Sequence, residues 1–275
     1  MIKFMKKDHY KENKIYGSQL DKNHKISARE RSVLSRLNLI KKAGVVSSGA
    51  LLEIGSHEGL FLREAQKAGF EILGIEPNLY VADYAIKNGL TTITGSFEES
   101  FEKVKDKKFD VVALFHTLEH MSDYLENLKK IETIINLGGY LIIEVPNSES
   151  YRSKKYGDDW VYVYEEHLHH FSPRGIKEIL LSIGFTVKKI YFRDFDEMRM
   201  SIKQSLDRLL PIKIRGANVK YKNMDDGETP SSFKKTELKS KKIISLLIPL
   251  IRTFLAFCVK VLKRGDFMFI VVKIK

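Results

Sequence analysis

The stretch from Leu51 to Asn78, LLEIGSHEGLFLREAQKAGFEILGIEPN, restricts the fold more than any other. Its first residues form an apolar strand, Gly55 and Gly59 bracket a turn, Leu60 to Ala68 carries apolar residues at helical spacing, and Ile72 to Ile75 is a second apolar run. This is the start of a βαβ unit. A glycine turn between strand and helix lets backbone approach a ligand, and the amides and dipole at the helix start suit polar or anionic groups. Glu76 follows Gly55 by 21 positions, at the tip of the second strand, where a carboxylate can accept both hydroxyls of a ribose. The expected ligand contains a nucleoside, although short glycine turns also occur in βαβ units that bind none.

The turn reads Glu53-Ile54-Gly55-Ser56-His57-Glu58-Gly59, a G-x-x-x-G without the G-x-G of a dinucleotide fingerprint. An acid two positions before the first glycine, this turn, and a second acid after the next strand together resemble the class I S-adenosylmethionine-dependent methyltransferases. The resemblance implies S-adenosylmethionine as cofactor, with Glu53 near its methionine part. It also implies that Gly55, Ser56, His57 and Gly59 pass under the cofactor and that Glu76, followed by Pro77, holds the ribose. The family usually has glycine where this chain has His57. A side chain there must point away from the cofactor or narrow its site.

The rest of the chain extends the pattern. Ser27 to Lys42 is an expected helix with Val33, Leu34, Leu37 and Ile40 on one face, able to cover the cofactor mouth or pack at the sheet edge. A helix from Tyr80 to Lys87 and a short strand from Thr91 to Thr94 precede Gly95-Ser96-Phe97-Glu98, the loop that in the resemblance lines the adenine. Phe97 can stand against that ring or belong to the core. Phe109 to Phe115 reads as a strand covered on both faces and runs into His116-Thr117-Leu118-Glu119-His120. Family members show a similar strand ending in L-E-H, which puts Phe115 and His116 beside the methionine half and the methyl group. A helix from Asp123 to Asn136, a turn at Gly138-Gly139, and a buried strand from Tyr140 to Val145 follow.

Trp160 to Ser172, WVYVYEEHLHHFS, concentrates three histidines, two glutamates and two tyrosines. The histidines lack the i, i+4 spacing of a zinc helix and have no cysteine helpers, so no metal site is expected. The Y-x-E-H…F-S pattern is similar to that of sugar methyltransferases, including C-methyltransferases of nucleotide-linked deoxysugars. Carried over, it assigns Tyr164, Glu166 and His167 to the acceptor side, with His167 as base and Glu166 orienting its imidazole; His116 and His120 are competing bases. The N-terminal cysteine-rich module of those enzymes has no counterpart here, since Cys258 is the single cysteine. That lone thiol excludes a disulfide framework and fits a reducing compartment.

A helix from Pro173 to Ser182, a strand from Phe185 to Phe192, a basic stretch, an apolar helix within Lys241 to Lys263 and a last strand from Asp266 to Ile274 complete the chain. This order fits the fold that the resemblance implies: α/β, a doubly wound, mostly parallel seven-stranded sheet with an antiparallel last strand, as in the class I methyltransferases. A basic segment with a cover helix (1–44) precedes a methyltransferase domain (45–275) that carries an insertion at 193–264. The net charge of +12 divides into +8 over residues 1–42, −6 over 43–192 and +10 over 193–275. Basic arms on an acidic body suit an anionic partner, or form a solvated lysine-rich surface. The expected acceptor is a sugar, nucleotide-sugar or glycan hydroxyl, less readily a carbon. A quinone or small phenol, or cofactor binding without catalysis, are the alternatives. Nucleic acid is not an expected partner, and the oligomeric state cannot be read. The N-terminus has charge without a following apolar core, so neither a signal peptide nor an anchor is expected. The expected location is the cytoplasm, with the helix Ile243 to Leu262, inside 241–264, touching the membrane surface through its apolar face and flanking lysines.

Overall fold

A computed structural model of the chain describes residues 28–193 and 265–274. Its strands are β1 (Gly49–Ile54), β2 (Phe70–Glu76), β3 (Thr92–Thr94), β4 (Phe109–Phe115), β5 (Ile135–Pro146), β6 (Thr186–Arg193) and β7 (Phe267–Lys273). They form a seven-stranded sheet in the order β3-β2-β1-β4-β5-β7-β6. The first five strands are parallel, and β7 runs antiparallel to both β5 and β6. This is the expected doubly wound sheet with its antiparallel last strand. The order reverses between β1 and β4, which opens a crevice beyond their carboxyl ends where ligands of open α/β sheets sit.

Both faces of the sheet are covered, which is why its strands read as apolar runs rather than as alternation. Leu51, Val111, Ala113, Phe269 and Val271 pack on one side against α1 (Ala28–Lys42), α2 (Leu60–Lys67) and α3 (Leu79–Lys87). Leu52, Val112, Leu114, Met268 and Ile270 pack on the other with α4 (Phe97–Ser100), α5 (Tyr124–Ile134) and α7 (Pro173–Ile183), while α6 (Tyr151–Tyr156) follows β5. Consecutive strand residues therefore anchor opposite layers.

Local signals account for most boundaries. Asn78 caps α3 by accepting from the amides of Tyr80 and Val81, and Ser172 caps α7, whose first residue is Pro173. Two expectations need correction. Val33 and Ile40 of α1 are buried and Leu37 packs partly, but Leu34 is 45% exposed, because one residue of helical rotation carries it off the 33-37-40 line. β5 starts at Ile135, not after the glycines: Ile135 pairs with Phe109, and the register shifts before Val111 pairs with Tyr140. Arg193, the expected first residue of the insertion at 193–264, ends β6; the rest of that insertion, with the helix Ile243 to Leu262 and its membrane contact, and Ser27 lie outside the described residues. Among the described residues no helix is long and apolar enough to cross a membrane.

Candidate active site

The turn after β1 is built by backbone bonds to the neighbouring strand. The amides of Gly55 and Ser56 both donate to the Ile75 carbonyl, at 2.8 and 3.1 Å. Gly55 has φ +76°, and a Cβ there would lie 2.3 Å from Thr117 Oγ1, so only glycine lets the tips of β1 and β4 meet. Thr117 completes that junction by donating to the Ile54 carbonyl at 3.0 Å. Glu76 locks the turn from the other side: Oε2 accepts from the His57 amide at 2.7 Å and Oε1 from the Asn78 amide at 2.8 Å. Among the described residues, the non-glycine positions with positive φ are His57 (50°) and His116 (53°). Both stand at the crevice, where such strain of about 1–3 kcal/mol is held by surrounding structure.

A cavity of about 270 Å³ opens there, reaching Glu53, Gly55, Ser56, His57, Phe115 and His116. Its cover is α1, tied down at two points. Arg29 donates to Glu58 at 2.9 Å, and Arg36 donates through Nε to Glu144 Oε2 at 2.6 Å while its guanidinium lies 4.4 Å above the Phe115 ring. Arg193, from the end of β6, donates to Glu144 Oε1 at 2.8 Å, and His116 Nε2 stands 3.8 Å from the same oxygen. Burial alone would raise the Glu144 pKa, yet the two guanidinium groups overcome it and hold the carboxyl below its ordinary value.

The residues fit the nucleoside-sulfonium cofactor that the resemblance implies. Glu53 is buried, its Oε2 has no hydrogen-bond partner, and burial raises its pKa well above the ordinary carboxyl value. Such an oxygen at a cavity wall is an acceptor for an ammonium group. Glu76 stands behind His57, and burial brings its pKa up to about 6. His57, the departure from the usual glycine, lines the cavity, and burial pushes its imidazole pKa down.

The loop from Trp160 to Ser172 supplies a second cluster. His167 is buried, with Nδ1 2.9 Å from the Tyr162 carbonyl and Nε2 2.6 Å from the Tyr164 hydroxyl. A carbonyl only accepts, so the proton sits on Nδ1 and Nε2 receives the tyrosine O–H. Burial lowers the His167 pKa to about 4, so the ring is neutral at physiological pH, with the Nε2 lone pair unprotonated, and is a weaker base than a free imidazole. Glu119, on the turn after β4, joins the two clusters, lying 3.5 Å from His116 Nδ1 and 4.0 Å from His167 Nε2.

Three sequence expectations change. Glu166 does not orient His167; its side chain is exposed and its carbonyl meets His120 Nδ1 at 2.8 Å, because the loop turns that carboxylate outward, and Glu119 of the turn after β4 faces the ring instead. Phe97 does not line the cavity but is 2% exposed in the core, edge-on to Phe101 at 5.7 Å, since Ser96 caps α4 and its first turn points into the sheet layer. Gly59, Glu76 and Pro77 do not line the cavity; Glu76 is buried behind the turn, with its carboxylate on the His57 and Asn78 amides. Arg36, Thr117, Glu119 and Glu144 were not singled out from sequence. The L-E-H run contains Glu119, but nothing in its spacing shows that the carboxylate points inward.

The match to known proteins agrees with this architecture. Residues 25–190 match the family described as "Methyltransferase domain". The chain belongs to this methyltransferase family. A curated relative, C-methyltransferase NovU of Streptomyces niveus, is 22% identical over 158 residues, 56% of this chain and 37% of that protein's length. The chain thus spans well under half of that relative. Among solved structures, a SAM-dependent methyltransferase of Archaeoglobus fulgidus aligns at 20% identity with TM-score 0.56, over 88% of this chain and 94% of its own. One from Thermotoga maritima aligns at 20% and TM-score 0.54, over 90% and 91%. Phosphoethanolamine N-methyltransferase 2 of Haemonchus contortus, solved with S-adenosyl-L-methionine, aligns at 16% and TM-score 0.52, over 88% of this methyltransferase and 52% of its own chain. At these identities the likeness is one of fold.

Proposed function

We propose that the chain transfers a methyl group from S-adenosylmethionine to a hydroxyl of a sugar, nucleotide-sugar or glycan acceptor. The observation that carries the reading is the neutral His167 imidazole, whose Nε2 is held at Tyr164 and is linked through Glu119 to His116 at the cofactor cavity. When bound, the cofactor supplies an electrophilic methyl on a sulfonium. Glu53 and Glu76 bind its ammonium and ribose ends, and the α1 cover with Phe115 excludes water. Tyr164 contacts the acceptor, and His167 takes the hydroxyl proton at Nε2. The buried Glu119 carboxylate then stabilises the imidazolium. Methyl transfer to carbon is the second reading, favoured by the activity named for the Streptomyces niveus relative.

His167→Ala is expected to lower turnover with the productive member of a nucleotide-sugar panel by about 10²–10⁴-fold while leaving S-adenosylhomocysteine affinity within about twofold of wild type. Product mass spectrometry and calorimetry read the two quantities. Unimpaired turnover in the variant rejects the assignment of the base.

Cofactor affinity also follows pH with a definite sign. The Glu76 pKa is raised to about 6, so above that pH the carboxylate is ionised and accepts ribose hydroxyls, and below it a proton occupies the acceptor. The affinity for S-adenosylhomocysteine is expected to be about tenfold weaker at pH 5 than at pH 7.5. The raised pKa of Glu53 acts in the same direction. A flat calorimetric profile across that interval contradicts the ribose assignment.

A further inference from the structure

Glu119 is wholly buried, and neither of its carboxylate oxygens has a hydrogen-bond partner. A carboxylate withdrawn from water in this way calls for a cation. The groups facing it are imidazoles: His116 Nδ1 at 3.5 Å and His167 Nε2 at 4.0 Å, with the His120 ring edge-on to that of His167 at 4.7 Å between centroids. His167 and His120 each turn Nδ1 to a backbone carbonyl, those of Tyr162 and Glu166. In its neutral form each ring then carries the lone pair on Nε2, the state in which a carbonyl behind the imidazole holds a metal-ligating histidine.

We propose that Glu119, His120 and His167 form a binding site for a first-row divalent cation of the Zn²⁺ or Mn²⁺ type. One donor atom from each lies within 4.8 Å of the others. Ligands of a tetrahedral zinc ion with bonds of about 2.1 Å are about 3.4 Å apart, so side-chain movements of the order of 1 Å close the set. Two imidazoles with one carboxylate suit such ions better than Ca²⁺ or Mg²⁺, which take oxygen ligands. The site is not visible as a motif because its donors come from two segments, the turn after β4 and the loop before α7. On binding, the ion displaces the Tyr164 proton from His167 Nε2. Ion and acceptor proton then compete for one lone pair, and an occupied site silences His167 as a base. The ion site does not depend on that role, since binding is read with neither cofactor nor acceptor present.

The test uses the full chain stripped with a chelator, titrated with Zn²⁺ against a chromophoric competitor and with Co²⁺ by visible absorption. Wild type is expected to take up one equivalent at micromolar or lower concentration, and Glu119→Gln to weaken Zn²⁺ binding by ~100-fold or more with an unchanged circular dichroism spectrum. If that buried substitution unfolds the chain, His120→Ala, at a half-buried ring, is expected to show the same loss. No saturable Zn²⁺ uptake by wild type, or folded variants that bind as tightly as wild type, overturns the proposal.

Discussion

Glu76→Ala is expected to weaken S-adenosylhomocysteine binding by ~100-fold or more, because the substitution removes two things at once. On the proposed assignment the ribose loses its carboxylate acceptor, and hydrogen bonds to a charged group contribute about 1.5–3 kcal/mol each. The amides of His57 and Asn78, now satisfied by Oε2 and Oε1, lose their partners, and with them goes the clamp that keeps His57 at positive φ at the cavity wall. Glu76→Gln retains one acceptor oxygen and should fall between alanine and wild type. Calorimetry on variants whose thermal unfolding remains cooperative measures the effect. Alanine binding as tightly as wild type removes Glu76 from the site.

The second large effect is on stability. Glu144 is buried at the centre of an ionic group formed with Arg36 and Arg193, and its two oxygens are shared between them. Arg36→Ala leaves a buried carboxylate with one guanidinium, strips the cation from above Phe115 and unfastens α1 from β5. Breaking such a pair from one side costs about 3–5 kcal/mol, which lowers Tm by the order of 10 °C for a domain of this size. The sign with pH follows from the direction of the Glu144 shift. A carboxyl whose pKa is held below the ordinary 4.5 contributes stability that is present in full above that value and is lost as pH falls through the folded-state value. The gap between wild type and variant should therefore be widest near pH 7.5 and narrow under strongly acidic conditions. Equal melting temperatures at pH 7.5 would show that α1 is held by its apolar face and the Arg29–Glu58 pair, without help from Arg36.

Phe97 and Glu166 illustrate where reading the chain stops. Both sit in segments whose composition suggests ligand contact, yet one side chain turns into the core and the other into solvent. For Phe97 the deciding event is local but small: a capping box of Ser96 and Glu99 starts a single helical turn and rotates the ring inward. For Glu166 it is the path of an irregular loop, which has no period to extrapolate.

The sequence by itself determined the βαβ beginning, the covered strands and the glycine turn at Gly55, Ser56 and His57; the resemblance added the antiparallel last strand and the cavity positions Glu53, Phe115 and His116. The part read from residues alone rests on interactions within a few positions: apolar period and glycine at a positive-φ turn. Only the tertiary structure decided that Arg36 reaches Glu144 across 108 residues, that Arg193 reaches it across 49, and that Glu119 rather than Glu166 faces His167. The reason is that a buried charge chooses its partner from whatever the packed layers bring within about 4 Å, and spacing along the chain carries no record of that choice.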